Sequence, residues 1–149
     1  MSFKQKIHTY CIHLLNEKIK TLQYTIKELT ESAANETKST AGDKHETALA
    51  MLQLEQENVN RQLKAVLDQK VMVESIDPSL KNLRVGNGSL VKTNKGFLFL
   101  SVALGKIIVE EVQVIVLSPQ SPLGKKLMGL KRNDYTDVNG IQYVIETIE

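Results

Sequence analysis

The chain contains no tryptophan, one cysteine, and no proline before residue 78; before that point Gly42 is its only glycine. Each scarcity excludes something. A lone Cys11 rules out an intrachain disulfide and a cysteine-based metal set, and suits a reducing compartment. Its apolar helical setting marks it as a small core residue, not a nucleophile. No apolar run approaches the length of a membrane span, and the opening MSFKQKIHTYCIHLL is too polar for a signal peptide. A cytoplasmic protein with no membrane partner is therefore expected. There is no Ser-His-Asp or Cys-His constellation, no Gly-rich phosphate loop and no CxxC, so the chain is not expected to be an enzyme in its own right or to carry a cofactor of its own. The bases are scattered without interleaved aromatics, and the close pairs Lys125-Lys126 and Lys131-Arg132 give little support to direct nucleic-acid recognition.

What is present in the first half is helical periodicity. Leu15, Ile19, Leu22, Ile26, Leu29 and Ala33 fall at steps of three and four, and Leu52, Val59, Leu63 and Val66 at steps of seven, four and three. Such spacing keeps one face of a helix against a partner helix and predicts an antiparallel coiled-coil hairpin over residues 1–76. One helix is expected from Phe3 to about Ala33 and a second from about Asp43 to Val73. Between them lies ESAANETKSTAGDKHE, Glu31 to Glu46, whose Ser, Thr, Asn and Gly favour a turn and caps. Charge is polarised along this arm. Residues 1–30 set five Lys against Glu17 and Glu28 (+3), residues 31–58 set six acids against Lys38 and Lys44 (−4), and residues 59–149 return to +3. An acidic projecting end can steer docking into an oppositely charged or metal-bearing pocket. Asp43 is an acceptable N-cap, with Glu46 at the capping-box position. The same spacing offers two carboxylates to one hard divalent cation, and two alone bind Mg²⁺ weakly, so the pair would work by completing a site assembled mostly by another macromolecule. His8 and His13 have no third ligand at metal spacing and are expected at the surface or seam.

After Ile76-Asp77-Pro78 the period changes to two, marking a second domain over residues 77–149. Leu83–Val85 and Ser89–Val91 around Gly86-Asn87-Gly88 read as a hairpin. Phe97–Val102 and Ile107–Val116 read as longer strands, and Tyr135–Val138 with Ile141–Ile148 as a closing hairpin around Asn139-Gly140. Ser121-Pro122 through Gly129 reads as a short helix with Ser at the N-cap and Pro at N1. The overall expectation is an α+β chain: a helical hairpin, then a small antiparallel sheet wrapped on one short helix.

Two segments resemble the Gre family of transcript-cleavage factors of bacterial RNA polymerase. One comprises Ser121-Pro122, Leu127, Gly129 and Asn133-Asp134, with a Tyr143-containing terminal strand after Asn139-Gly140. The other is Gly42-Asp43-Lys44-His45-Glu46-Thr47-Ala48, similar to the family's tip. The resemblance implies a coiled-coil hairpin preceding an FKBP-like domain. It also implies a monomer that binds RNA polymerase, with the hairpin in the secondary channel and the C-terminal domain at its rim, and indirect contact with the RNA 3′ end. By position, Asp43 and Glu46 inherit the tip roles, acting in trans and sharing the Mg²⁺ of the polymerase active site, so that the polymerase's own nuclease activity cleaves backtracked RNA. Where the family commonly continues with a further Glu and an aromatic residue, this chain has Leu49 and Ala50. A channel-binding regulator without cleavage activity is the second reading. An FKBP-type prolyl isomerase or chaperone is the third, with only Phe97, Phe99, Tyr135 and Tyr143 to furnish an aromatic pocket.

Overall fold

A computed structural model describes residues 1–37 and 42–149, with the side chains of residues 36–45 outside the description. Helix α1 spans Phe3–Thr37 and α2 spans Gly42–Glu74. The chain groups into two compact units, one of Met1–Ile12 with Val71–Glu149 and one of His13–Lys70.

In the second unit the heptad residues form the seam. Leu15, Ile19 and Val59 are buried, while Leu22, Ile26, Leu29, Ala33, Leu52, Leu63 and Val66 are half-buried, as expected where each helix has only one partner. Gln56 Nε2 donates to Thr30 Oγ1 at 3.4 Å across the pair, and Leu14 and Leu22 share a groove with Ala65 and Val66, so earlier residues of α1 face later ones of α2 in the antiparallel sense. Thr21, Thr25 and Thr30 each return their hydroxyl to the carbonyl four residues earlier. β-branched residues are thereby accommodated in the helix without orphaned polar atoms.

The first unit holds a six-stranded sheet in the order β3-β4-β2-β1-β6-β5. Its strands are β1 (Leu90–Thr93), β2 (Gly96–Leu100), β3 (Gly105–Val109), β4 (Val112–Leu117), β5 (Tyr135–Val138) and β6 (Ile141–Ile148), and α3 (Pro122–Leu127) lies between β4 and β5 in sequence. The sheet is mixed, not wholly antiparallel: β2 and β4 run parallel in the register Phe97↔Val114 to Leu100↔Leu117. Val85, Val91, Leu98, Leu100, Leu117, Ile145 and Leu127 of α3 make one core. The alternate residues Leu90, Phe99, Val114 and Val116 are buried on the opposite face. There Phe97 meets Phe3 of α1 edge-on, with centroids 5.3 Å apart and planes at 68°. Both faces are therefore covered, which is why the strands read as near-continuous apolar runs.

Two expected elements are corrected. Ile107–Val116 is not one strand but a hairpin, turning at Glu110 (φ 51) and Glu111 (φ 68). Adjacent left-handed residues match the strand twist, and two glutamates supply them without the usual Asn or Gly. Leu83–Val85 does not pair with Ser89–Val91. Arg84 instead forms an isolated bridge with Lys131, Val85 N–H donates to the Leu130 carbonyl at 2.8 Å, and Gly129 N–H donates to the Val85 carbonyl at 2.8 Å.

The start of α1 is tied to the sheet unit by specific groups. Lys4, only 3% exposed, donates from Nζ to the Leu80 carbonyl at 2.6 Å. Burial lowers its pKa, against the opposing pull of Glu149 and Asp77. His8 Nε2–H donates to the Val73 carbonyl at 2.7 Å. Cys11 is fully buried, and burial pushes its thiol up to about 12. The unfolded thiol ionises near 9.0, so between about pH 9 and 12 the unfolded chain has lost a proton that the folded chain retains. Stability present below pH 9 should fall by about 1.4 kcal/mol per pH unit across that window. In urea unfolding at about pH 8 and about pH 10.5, Cys11→Ala should be less stable than the parent at the lower pH but should lack its share of the alkaline fall. Parallel slopes in both chains would contradict this.

Candidate functional site

The acidic end of the arm is built from the first turns of α2. The described helix α2 runs from Gly42, with Asp43 near its start and Glu46 three residues on. Positions three apart on a helix share a face. The Glu46 side chain is exposed, whereas that of Asp43 is outside the described residues, as is the backbone of residues 38–41. The structure thus places one of the two expected carboxylates in solvent and keeps the other's residue beside it along the helix. Continuous helix from Glu46 to Lys70 carries the acid roughly 36 Å along the arm at 1.5 Å per residue. Leu49 is half-buried, Ala50 is exposed, and Met51 and Leu54 stand exposed on the outer face. Exposed Glu31 lies on the facing helix, so the acids around this end come from both strands of the hairpin.

Deeper in the same unit, Leu14, Leu22, Ala65 and Val66 line an open, largely apolar groove of about 550 Å³ between α1 and α2. It contains no carboxylate cluster. Among the described residues no group of three or more His, Cys, Asp or Glu is gathered to hold a metal. His13 is exposed, and His8 is spent on the Val73 carbonyl. Among the described residues no helix is long and apolar enough to cross a membrane.

No family model matches the chain, and neither does any curated protein. Among solved structures it is similar to the transcription factor Gfh1, at 17% identity over 92% of each chain, with a TM-score of 0.37. It is also similar to Thermus aquaticus Gfh1, at 16% identity over 91% of this chain and 92% of that one, with a TM-score of 0.33. At those identities and scores nothing of their function is carried across.

The second region singled out from sequence is α3. Ser121 caps it: its Oγ accepts from Gly124 N–H at 3.0 Å and donates to the Ser118 carbonyl at 2.7 Å, with Pro122 at the first helical position. Lys125 and Lys126 sit in the last turn, and Lys126 Nζ reaches the Asp137 carbonyl at 3.0 Å. Asn133 (φ 74) adopts the left-handed conformation that its short polar side chain tolerates, and Asp134 Oδ2 accepts from Lys131 N–H at 2.9 Å. Of the aromatics named for an isomerase pocket, Phe99 is fully buried, Phe97 packs on Phe3 and Tyr143 packs against the core, while Tyr135 is exposed. Sequence reasoning missed buried Lys4 and the pairing of Arg84 with Lys131. A lysine near the start of an amphipathic helix looks like a solvated charge, and partners so far apart in sequence leave no local pattern.

Proposed function

We propose that the chain is a Gre-like transcription elongation factor that binds RNA polymerase, places its hairpin in the secondary channel and stimulates the intrinsic cleavage of backtracked RNA. The observation that carries this reading is exposed Glu46 near the start of α2, at the acidic end of an antiparallel hairpin. The motifs around Asp43 and Ser121-Pro122 support it from sequence. In this reading residues 77–149, the FKBP-like domain, dock at the channel rim. Asp43 and Glu46 offer carboxylate oxygens to a loosely held catalytic Mg²⁺ in the polymerase and help orient the attacking water. The ion belongs to the polymerase and supplies Lewis-acid polarisation there. The arm's part is reach and local negative charge, and the rim contacts limit the freedom lost when the tip engages.

Leu49 and Ala50 favour a second reading, a channel-binding regulator that does not promote cleavage, because the half-buried Leu49 adds no further carboxylate at the tip. Both readings share one geometric requirement. With 4-thiouridine at the 3′ end of the RNA in a backtracked complex, photocrosslinks to this chain should map to the segment between Glu31 and Met51. Crosslinks confined to residues 77–149, or failure to associate with core polymerase, would remove both.

A further inference from the structure

The fold gathers bases that are dispersed in sequence. The Arg84↔Lys131 bridge sets two basic positions opposite each other, with Lys81 upstream and Arg132 next in chain. All four are exposed. Beside them is an open cleft of about 290 Å³ walled by Lys81, Leu83, Arg132, Thr147, Ile148 and Glu149. Leu83 is 93% exposed, the most exposed of the large apolar side chains in this unit. A single exposed leucine is ordinary. A leucine this bare, sharing a cleft with Lys81 and Arg132, is a less common combination.

The bases are also held in place. Arg84 Nη1 donates to the Gly129 carbonyl at 3.0 Å, fixing one edge of the guanidinium while leaving other N–H groups free to form a fork. The turn carrying Lys131 and Arg132 begins at left-handed Gly129 and ends at left-handed Asn133. It is pinned by Val85 N–H to the Leu130 carbonyl (2.8 Å), Asp134 N–H to the Lys131 carbonyl (3.0 Å) and Asn133 N–H to the Ile145 carbonyl (2.8 Å). Asp134 spends a carboxylate oxygen on Lys131 N–H, so Glu149 is the acid left facing the cleft. Cations on a rigid frame lose little entropy when a partner binds.

We infer that this face docks an acidic, amphipathic segment of a partner protein, with Leu83 entering an apolar recess of that segment and Arg84 and Arg132 pairing with its carboxylates. Charge complementarity sets the sign of the partner. The apolar lip and Glu149 favour a protein over a nucleic acid, since no aromatic ring lines the cleft for stacking and Glu149 opposes phosphate. The surface lies in residues 77–149, which the proposed function docks at the channel rim, so the inference deepens that reading by naming the face, and the peptide test below does not involve the hairpin end.

The test is fluorescence anisotropy with the full chain and three probes: an amphipathic helical peptide with Glu on one face and Leu and Phe on the other, the same peptide with Lys for Glu, and a single-stranded RNA of equal negative charge. The acidic peptide should bind best. Leu83→Ser should weaken it about tenfold, and Arg84→Glu combined with Arg132→Glu should abolish binding, while thermal unfolding stays near that of the parent because these side chains are exposed. Lys125→Glu with Lys126→Glu, and separately Glu46→Ala, should leave binding unchanged. Equal or absent binding of the acidic and basic peptides, indifference to Leu83→Ser, or tighter RNA binding lost on the same charge reversal would each overturn the inference.

Discussion

Glu46→Ala should suppress the release of short 3′ RNA fragments from a backtracked polymerase complex by about a hundredfold or more, and Asp43→Ala by a comparable factor, with polymerase binding changed little. The expectation follows from where the residues lie. Glu46 is exposed and near the helix start, so its removal opens no cavity and costs the arm at most a few tenths of a kcal/mol. A carboxylate that acts only when charge develops at a metal centre lowers the rate when lost without weakening ground-state association. The informative comparison is Glu46→Gln, which retains shape and helix propensity but not charge. If Glu46→Gln cleaves like the parent, the group is a surface polar residue and no more. The double variant should be no worse than the more damaging single one, since two groups that complete one site fail together.

The largest effect on stability is expected at Gly124. A Cβ built there would lie 2.1 Å from the Ser118 carbonyl oxygen and 2.9 Å from Pro119 Cα, both backbone atoms that cannot step aside. Relief would require moving the first turn of α3, and with it the Ser121 cap and the seating of fully buried Leu127. Gly124→Ala should therefore cost about 3 kcal/mol or more, a drop of about 10 °C or more in unfolding temperature. Gly140→Ala is the control. Its Cβ meets nothing within 4 Å, and the penalty is the left-handed φ of 79°, about 1 kcal/mol. Equal losses at the two positions would show that close approach of α3 to the Ser118-Pro119 segment is not what demands a glycine.

The contrast between these sites bears on what could be read before any coordinates. The hairpin was legible because a seam of Leu15, Ile19, Val59 and their neighbours repeats at a period only a helix satisfies, and α1 and α2 begin and end within a few residues of the expected bounds. The Ser121-Pro122 start of α3 and the Asn139-Gly140 turn were legible because their chemistry is local. Glu110-Glu111 was not, because glutamates give no turn signal and apolar residues flank them without a break. The parallel β2–β4 pairing and the Arg84–Lys131 bridge were invisible for a different reason: they join segments far apart in sequence, where register is settled by the core as a whole. At the acidic end, sequence expected an exposed Glu46, as it is, whereas the side chain of Asp43 lies outside the described residues. The basic face around Leu83 lay outside local pattern altogether, because only the completed sheet sets Arg84 opposite Lys131.

Addition of the unmodified chain and Mg²⁺ to a polymerase complex stalled in the backtracked state, with the RNA labelled at its 3′ end, tests the account most directly. The expected result is prompt release of short labelled fragments and resumed elongation when nucleotides are supplied. Stable binding to that complex with the labelled RNA left intact would contradict it, and would leave the hairpin as an occupant of the channel that contributes no chemistry.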